Sequence, residues 1–176
     1  SSDVCSSDLK SGPGTGRCYI LVTPDAQRTM NTYLGASVEL GPHDVDAKLI
    51  ERARVVYLEG YLWDRDGAKE AFRKASDLAR AKGAEVAFSL SDSFCVNRWR
   101  DEFRQLIEDR VDILFANESE ITALYQVKQF EEAVTMVRAH VEVAALTRSE
   151  KGAVIVRGHE TASVQAERIA KVVDTT

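Results

Sequence analysis

The sequence predicts an α/β fold in which a parallel β-sheet is covered by helices on both faces. Short apolar segments alternate along the chain with longer segments whose apolar residues recur at helical spacing. Strands that alternate with helices of this length form parallel sheets, and the helices pack against the sheet. At 176 residues the chain is long enough to build one sizeable core.

The N-terminal part does not follow this alternation. Residues 1–9, SSDVCSSDL, have no helical or strand periodicity, and we exclude them from the fold as a disordered or non-native tail. Residues 10–36 predict a β-hairpin. Residues 17–22 and 28–34 have strand-like patterns, and Pro24-Asp25 is typical of a turn between two strands.

Strands and helices alternate from residue 37 to residue 176. A strand at residues 55–58 precedes a helix at residues 64–83, where Gly83 has the position of a C′ glycine. The apolar residues of this helix share one face: Ala68, Ala71, Phe72, Ala75, Leu78 and Ala79. The next strand, at residues 85–91, is followed by a helix at residues 97–110 with Asn97 as its predicted N-cap.

The second half of the chain repeats the pattern. A strand is predicted at residues 111–117, helices at residues 118–126 and 130–141, and a further strand at residues 143–148. The remaining residues predict short strands joined by a Gly158-His159 turn. Ligands of open α/β sheets bind beyond the carboxyl ends of the strands. The segments in which to seek a site are therefore EGYLWD, SDSFC, NESE, TRSEKG and DTT.

Composition excludes several classes of partner. The net charge is -5 and no basic stripe is present, which argues against nucleic acid. No apolar run reaches the roughly 18 to 20 residues that a membrane span needs. The cysteines lack CxxC spacing and the sequence has no signal peptide, so we expect a reducing, cytoplasmic setting. They are Cys5, Cys18 and Cys95.

The stretch ILFANESEITAL is the most informative part of the sequence. A strand ends at Phe115, and Asn117 and Glu120 follow at the start of a helix. Asn-x-x-Glu at such a place forms a capping box, and that structural role alone explains the pair. A carboxylate and an amide at a strand end also suit a hydrated Mg²⁺ held against phosphate oxygens. Both interpretations stay open, and they are compatible.

Three motifs in order resemble the ribokinase-like (PfkB-type) family of sugar and nucleoside kinases. They are FANESEITAL, ALTRSEKGAVIV and VVDTT. Residues 23–37, TPDAQRTMNTYLGAS, are similar to the lid hairpin of the bacterial adenosine-kinase-like branch. The resemblance implies a ribokinase-like parallel sheet flanked by helices, with residues 10–36 as part of a β lid and residues 37–176 as a partial nucleotide-binding core.

The resemblance also implies roles for residues of the core. Asn117 and Glu120 match the Mg²⁺ and phosphate motif, with Glu120 acting on the metal through water. Thr147, Ser149 and Gly152 match the nucleotide loop, although TRSEKG departs from the common glycine-rich version. For Thr147, a simple role as a β-forming residue at the strand end stays open.

Two further residues have family counterparts outside this loop. Arg28 matches a lid arginine that closes over the phosphates, with a solvated hairpin charge as the alternative. Asp174 matches the first acid of the family's Asp-Thr-Thr motif, which helps to hold a monovalent cation such as K⁺. The alternative for Asp174 is an acid at a strand end or the start of a turn.

The function implied is that of an ATP- and Mg²⁺-dependent kinase that phosphorylates the hydroxymethyl group of a nucleoside, adenosine first. A fructokinase- or ribokinase-like sugar kinase and a non-catalytic binding module are the alternatives. We expect a central fragment that is nearly inactive alone, because the family's N-terminal substrate portion and its Gly-Ala-Gly-Asp segment, with the catalytic base, are not in these residues. A homodimer through hairpin residues Tyr19, Leu21 and Leu34 is also open.

Overall fold

The computed structural model describes residues 12–168, so Asp174 lies outside the described residues. The described chain divides into two compact units. The first contains the residues up to Leu40, and the second contains Gly41–Arg168. We describe each unit by itself.

The first unit is an antiparallel β-hairpin. Strand β1 (Thr15–Val22) pairs with β2 (Arg28–Gly35), from Thr15 opposite Gly35 to Val22 opposite Arg28. The turn is closed by hydrogen bonds from Thr23 N–H to the Gln27 carbonyl and from Ala26 N–H to the Thr23 carbonyl. Both predicted strands are confirmed. A single 3-10 turn, Ala36–Glu39, follows β2.

The second unit contains a six-stranded sheet and five α-helices. The strands are β3 (Val55–Glu59), β4 (Glu85–Ser89), β5 (Ile113–Asn117), β6 (Val143–Thr147), β7 (Ala153–Arg157) and β8 (Glu160–Val164). The helices are α1 (Ala47–Ile50), α2 (Asp66–Ala81), α3 (Ser93–Arg110), α4 (Glu118–Tyr125) and α5 (Phe130–Val137). In the described residues, no helix is both long enough and apolar enough to cross a membrane.

The sheet is parallel over its first four strands and antiparallel at one edge. Strands β3, β4, β5 and β6 lie side by side in chain order and are parallel. Strands β7 and β8 are antiparallel to their neighbours, which the sequence analysis did not predict. The reason is the length of the connections, because the short loop before β7 and the Gly158-His159 turn before β8 permit only antiparallel pairing.

The side chains on the two faces of this sheet differ in exposure. The side chains on one face are buried, and Phe88 of β4 packs edge-to-face on Phe103 of α3 at a centroid distance of 5.1 Å. On the opposite face Val55, Tyr57 and Phe115 are exposed. The predicted fold class, a mostly parallel sheet flanked by helices, is confirmed.

The ends of α2 and α3 show where capping signals succeed and fail. Helix α2 ends as predicted, with Gly83 at φ +73 and the Ala84 N–H bonded to the Ala79 carbonyl. The prediction of Asn97 as the N-cap of α3 is wrong. The cap is Asp92, whose carboxylate accepts from the Phe94 N–H. Asn97 lies inside the helix, close to a break in helical geometry at Trp99.

A polar cluster joins α2 to α3. Lys69 is only 7% exposed, and its ammonium lies 2.8 Å from a Glu102 carboxylate oxygen and 3.7 Å from the centre of the Trp99 ring. The Trp63 indole donates to Glu102 at 2.9 Å, and the Trp99 indole donates to Asp64 at 2.6 Å. The buried ammonium is therefore compensated by a carboxylate and an aromatic face.

Candidate functional site

The carboxyl ends of β5 and β6 bring the predicted site residues together. Asn117 ends β5, Thr147 ends β6, and the parallel register places these two residues directly beside each other. Both are exposed. Because residues opposite one another in a sheet have neighbouring side chains, the two motifs that are far apart in sequence meet at one edge of the sheet.

Asn117 and Glu120 form a complete capping box at the start of α4. The Asn117 side-chain oxygen accepts from the Glu120 N–H at 2.8 Å and from the Ser119 hydroxyl at 2.7 Å. The Glu120 carboxylate accepts from the Asn117 N–H at 2.9 Å and from its side-chain amide at 2.7 Å. The capping interpretation of this motif is confirmed.

Glu120 is a buried carboxylate in an acidic neighbourhood. It is only 6% exposed. Burial raises the pKa of its carboxyl above the ordinary value, against the hydrogen bond from the Asn117 N–H, and Asp92 and Glu59 raise it further. Glu59 ends β3 and Asp92 follows β4, so their place at the carboxyl ends of successive strands was the sequence signal for this group.

The donor set fits a hydrated Mg²⁺ held through Glu120. A carboxylate has roughly four lone-pair positions, and Asn117 fills two of them. The remaining positions can accept from metal-bound water, which Mg²⁺ usually keeps. The Asn117 oxygen already accepts two hydrogen bonds, so Asn117 orients Glu120 rather than binding the metal directly. In the described part of the chain, no set of three or more His, Cys, Asp or Glu is placed to chelate a metal.

The predicted nucleotide loop, residues 147–152, contains the tight connection between β6 and β7. It contains a 3-10 turn at Ser149–Lys151, and the Arg148 N–H donates to the Gly152 carbonyl at 2.7 Å. Ser149 has φ +52 and Gly152 has φ +88. A side chain at Gly152 would overlap the Val164 carbonyl oxygen, so β8 approaches this glycine closely.

This loop and the start of α4 enclose an open cavity of about 340 Å³. Its walls are formed by Asn117, Glu118, Ser119, Thr147, Arg148, Ser149, Glu150 and Lys151. Three of the predicted residues, Asn117, Thr147 and Ser149, therefore line one cavity. Glu120 and Gly152 are not among the residues that line it. Glu120 accepts hydrogen bonds from Asn117, and the Gly152 carbonyl accepts one from the Arg148 N–H.

An ion pair across this cavity was not predicted. The Arg148 guanidinium makes two hydrogen bonds to Glu118, at 3.1 and 3.0 Å, and Lys151 lies 3.5 Å from the same carboxylate. The hydrogen bond from Arg148 holds the pKa of the Glu118 carboxyl below its ordinary value. The available sequence signal was that Glu118 and Arg148 carry opposite charges and that each directly follows a strand. Only the register of β5 against β6 brings these two residues together.

Two predicted residues lie outside the described part of the second unit. Arg28 begins β2 in the hairpin unit, and its role at the phosphates stays a prediction. Asp174 lies outside the described residues, so its role as a cation ligand also stays a prediction.

Fold and site together define an α/β protein whose polar residues gather at the carboxyl edge of a mostly parallel sheet. Comparison with known families then identifies the particular group. The chain belongs to the pfkB family carbohydrate kinases, which its residues 5–176 match. Members of this family are phosphotransferases.

Solved structures support this assignment. An adenosine kinase from Sinorhizobium meliloti is 49% identical, with a TM-score of 0.90 over 94% of this chain and 51% of its own. A probable sugar kinase from Rhizobium etli CFN 42 is 52% identical, with a TM-score of 0.87 over 92% of this chain and 49% of its own. The chain therefore spans about half the length of these two relatives.

A curated relative is more distant. The guanosine-inosine kinase of Escherichia coli K12 is 28% identical over 112 residues, which are 62% of this chain and 26% of that protein. A putative ribokinase II from E. coli, in complex with ATP and Mg²⁺, is 19% identical with a TM-score of 0.76. The second likeness supports the fold alone.

Proposed function

We propose that this chain is the nucleotide-binding part of an ATP-dependent kinase that phosphorylates the hydroxymethyl group of a nucleoside, with adenosine as the first candidate. The observation that carries the proposal is the meeting of Asn117, Thr147 and Ser149 at one cavity beside the buried Glu120. The 49% identity to an adenosine kinase supports the choice of acceptor.

The residues suit the binding of a triphosphate and a divalent cation. Glu120 supplies the negative charge that holds a hydrated Mg²⁺ through water, and Asn117 fixes its orientation. When bound, Mg²⁺ neutralises charge on the transferred phosphoryl group. On the loop side the cavity is lined by Thr147 and by residues 148–151.

The reaction moves the γ-phosphoryl group of ATP to the acceptor oxygen. The bond from the γ-phosphorus to the bridging oxygen breaks, ADP leaves, and the hydroxyl proton goes to a base. The resemblance assigns this base to a Gly-Ala-Gly-Asp segment, which is not in these residues. We therefore expect ATP binding by the 176-residue chain and at most weak phosphoryl transfer.

The test measures phosphorylation of adenosine, guanosine, inosine, ribose and fructose with γ-labelled ATP and MgCl₂. It is run on the 176-residue chain and on the complete product of its gene. Phosphorylation of adenosine by the gene product is the expected result. Transfer to a sugar in preference would favour the sugar kinase, to which the 52% identity with a probable sugar kinase points. Transfer to no acceptor would overturn the kinase proposal.

Variants locate the activity in the proposed site. Glu120→Gln keeps the shape of the side chain and removes its charge, so we expect about a 10- to 100-fold loss of activity at low Mg²⁺, partly recovered at high Mg²⁺. The control is Glu70→Gln, the same change at an exposed position of α2. Equal activity of both variants would remove Glu120 from the metal site.

A non-catalytic binding module is the remaining alternative. It predicts that the gene does not encode Gly-Ala-Gly-Asp after residue 176 and that ATP binds without turnover. Reading those codons and measuring ATP affinity separates this alternative from the kinase.

We also propose that the hairpin can pair two copies of the chain. Tyr19 and Leu21 are 70% and 68% exposed on β1, and Leu34 is exposed on β2. Apolar side chains on a two-stranded hairpin suit contact with a second copy.

A further inference from the structure

We propose that Arg148 is a positioning residue of the nucleotide loop: its guanidinium ties the loop to the start of α4 and keeps it in the conformation that accepts ATP. The inference rests on the proposed function. It gives a role to Arg148, for which the family resemblance implied none. It is carried by the contacts of one side chain with Glu118 and Phe130.

The Arg148 side chain contacts two elements other than its own loop. Two of its N–H groups donate to the two oxygens of Glu118, the first residue of α4, at 3.1 and 3.0 Å. Its central carbon lies 3.9 Å from the centre of the Phe130 ring at the start of α5. A planar guanidinium is suited to both contacts at once, whereas a lysine ammonium is not.

These contacts join the two halves of the proposed ATP site. Glu118 follows Asn117 directly, and Arg148 follows Thr147 directly, so the ion pair lies beside the Asn117–Thr147 register position. Lys151, at the other end of the 3-10 turn, lies 3.5 Å from Glu118. One carboxylate at the start of α4 therefore holds two positions of the loop.

The loop needs such ties because its backbone is unusual. Ser149 has a positive φ of +52, a conformation that a residue with a side chain seldom adopts. A loop without the Arg148 contacts would spend time in other conformations. The apparent affinity for a ligand falls in proportion to the competent fraction.

The geometry favours positioning over direct contact with phosphate. The Arg148 side chain is four-fifths buried, two of its N–H groups already donate to Glu118, and its third nitrogen lies 3.8 Å from Glu131. If Arg148 acts only through Glu118, removing either partner weakens ATP binding by the same factor, and removing both weakens it no further. If Arg148 contacts phosphate, loss of Glu118 would free it and would not weaken binding.

The test is a double-mutant cycle on the 176-residue chain. Arg148→Met, Glu118→Gln and the double variant are titrated with ATP in excess MgCl₂ by isothermal titration calorimetry, and their thermal midpoints are measured without ATP. Arg148→Lys tests whether charge alone is enough. Arg157→Met is the matched control, since Arg157 pairs with Glu142 at 3.4 Å beside Val143, which begins β6 at the end opposite to Thr147.

We expect Arg148→Met and Glu118→Gln each to raise the ATP dissociation constant by roughly 5- to 20-fold. The double variant should have the same dissociation constant as the single variants. Arg148→Lys should recover part of the lost affinity. The control is expected to bind as the unchanged chain does. The inference is overturned if Arg148→Met binds within about twofold of the unchanged chain, if Glu118→Gln does not weaken binding, or if the two effects add.

Two further outcomes are distinguishable. Should Arg148→Met unfold at a much lower temperature, Glu118→Gln alone decides, and unchanged ATP affinity in that variant overturns the inference. If the unchanged chain binds no ATP while it is folded, the proposed nucleotide site fails and the role of Arg148 fails with it. Failure of the inference alone requires that ATP binds and that the variants do not matter.

Discussion

Substitution of Gly152 by alanine tests the close approach of β8 to the loop at residues 147–152. Gly152 has φ +88 and ψ -137, a region that residues with a side chain occupy only at a cost of about 1–3 kcal/mol. An added Cβ would also overlap the Val164 carbonyl oxygen and lie 2.8 Å from both Ala166 N and Gln165 Cα. These are main-chain atoms, so the backbone has to move.

The expected loss can be estimated from these two terms. Displacing packed atoms costs about 1–3 kcal/mol, so Gly152→Ala should lower the free energy of unfolding by roughly 2–6 kcal/mol. Gly83→Ala is the matched control. Gly83 has φ +73 but no atom within 4 Å of an added Cβ, and its substitution should cost about 1 kcal/mol.

The free energy of unfolding of both variants is measured by urea denaturation, with far-ultraviolet circular dichroism as the signal. The expected difference between the two variants is about 1–5 kcal/mol, and each kcal/mol corresponds to roughly 2–4 °C in the thermal midpoint of a chain this long. Equal loss of stability in the two variants would refute the reasoning, because both positions have positive φ and only Gly152 is crowded.

Three further predictions concern other parts of the molecule. Burial raises the pKa of the Glu102 carboxyl, but hydrogen bonds from Lys69 and Trp63 outweigh it and hold the pKa below the ordinary 4.5. The contact of Lys69 with ionised Glu102 therefore stabilises the fold above about pH 4.5 and is lost as the carboxyl is protonated at lower pH. From about pH 5 to pH 3 the free energy of unfolding should fall less steeply in Glu102→Gln than in the unchanged chain. Parallel slopes would contradict this. Asn117→Ala should cost about 1 kcal/mol in urea denaturation, because α4 loses its cap; no loss would mean that the cap is dispensable. Leu21→Lys should abolish concentration-dependent association in sedimentation velocity, and a monomeric unchanged chain would disprove pairing through the hairpin.

The parts of the fold that the sequence predicted correctly have local signals. Helix α2 carries apolar residues at helical spacing and ends at Gly83, and both features lie within one stretch of chain. The capping box of Asn117 and Glu120 is local in the same way. Asn97 shows the limit of such signals, since Asp92 is an equally good capping residue and the burial of Val96 decides that α3 begins earlier.

The site was predictable only in part. Strand ends of a parallel sheet share one edge, so the meeting of Asn117 with Thr147 follows from the alternating pattern alone. The pairing of Arg148 with Glu118 does not, because the two residues are 30 positions apart and meet only in one register of β5 against β6. The antiparallel edge of the sheet depends likewise on connection lengths that the sequence pattern located only loosely.

The cluster between α2 and α3 has a practical consequence for spectroscopy. The two tryptophans of the chain, Trp63 and Trp99, both belong to it, and neither lines the cavity beside Thr147. Their emission therefore reports on the contact between these two helices. A nucleotide bound at the strand ends would leave that emission nearly unchanged, and an extrinsic dye near residue 150 would be needed to see it optically.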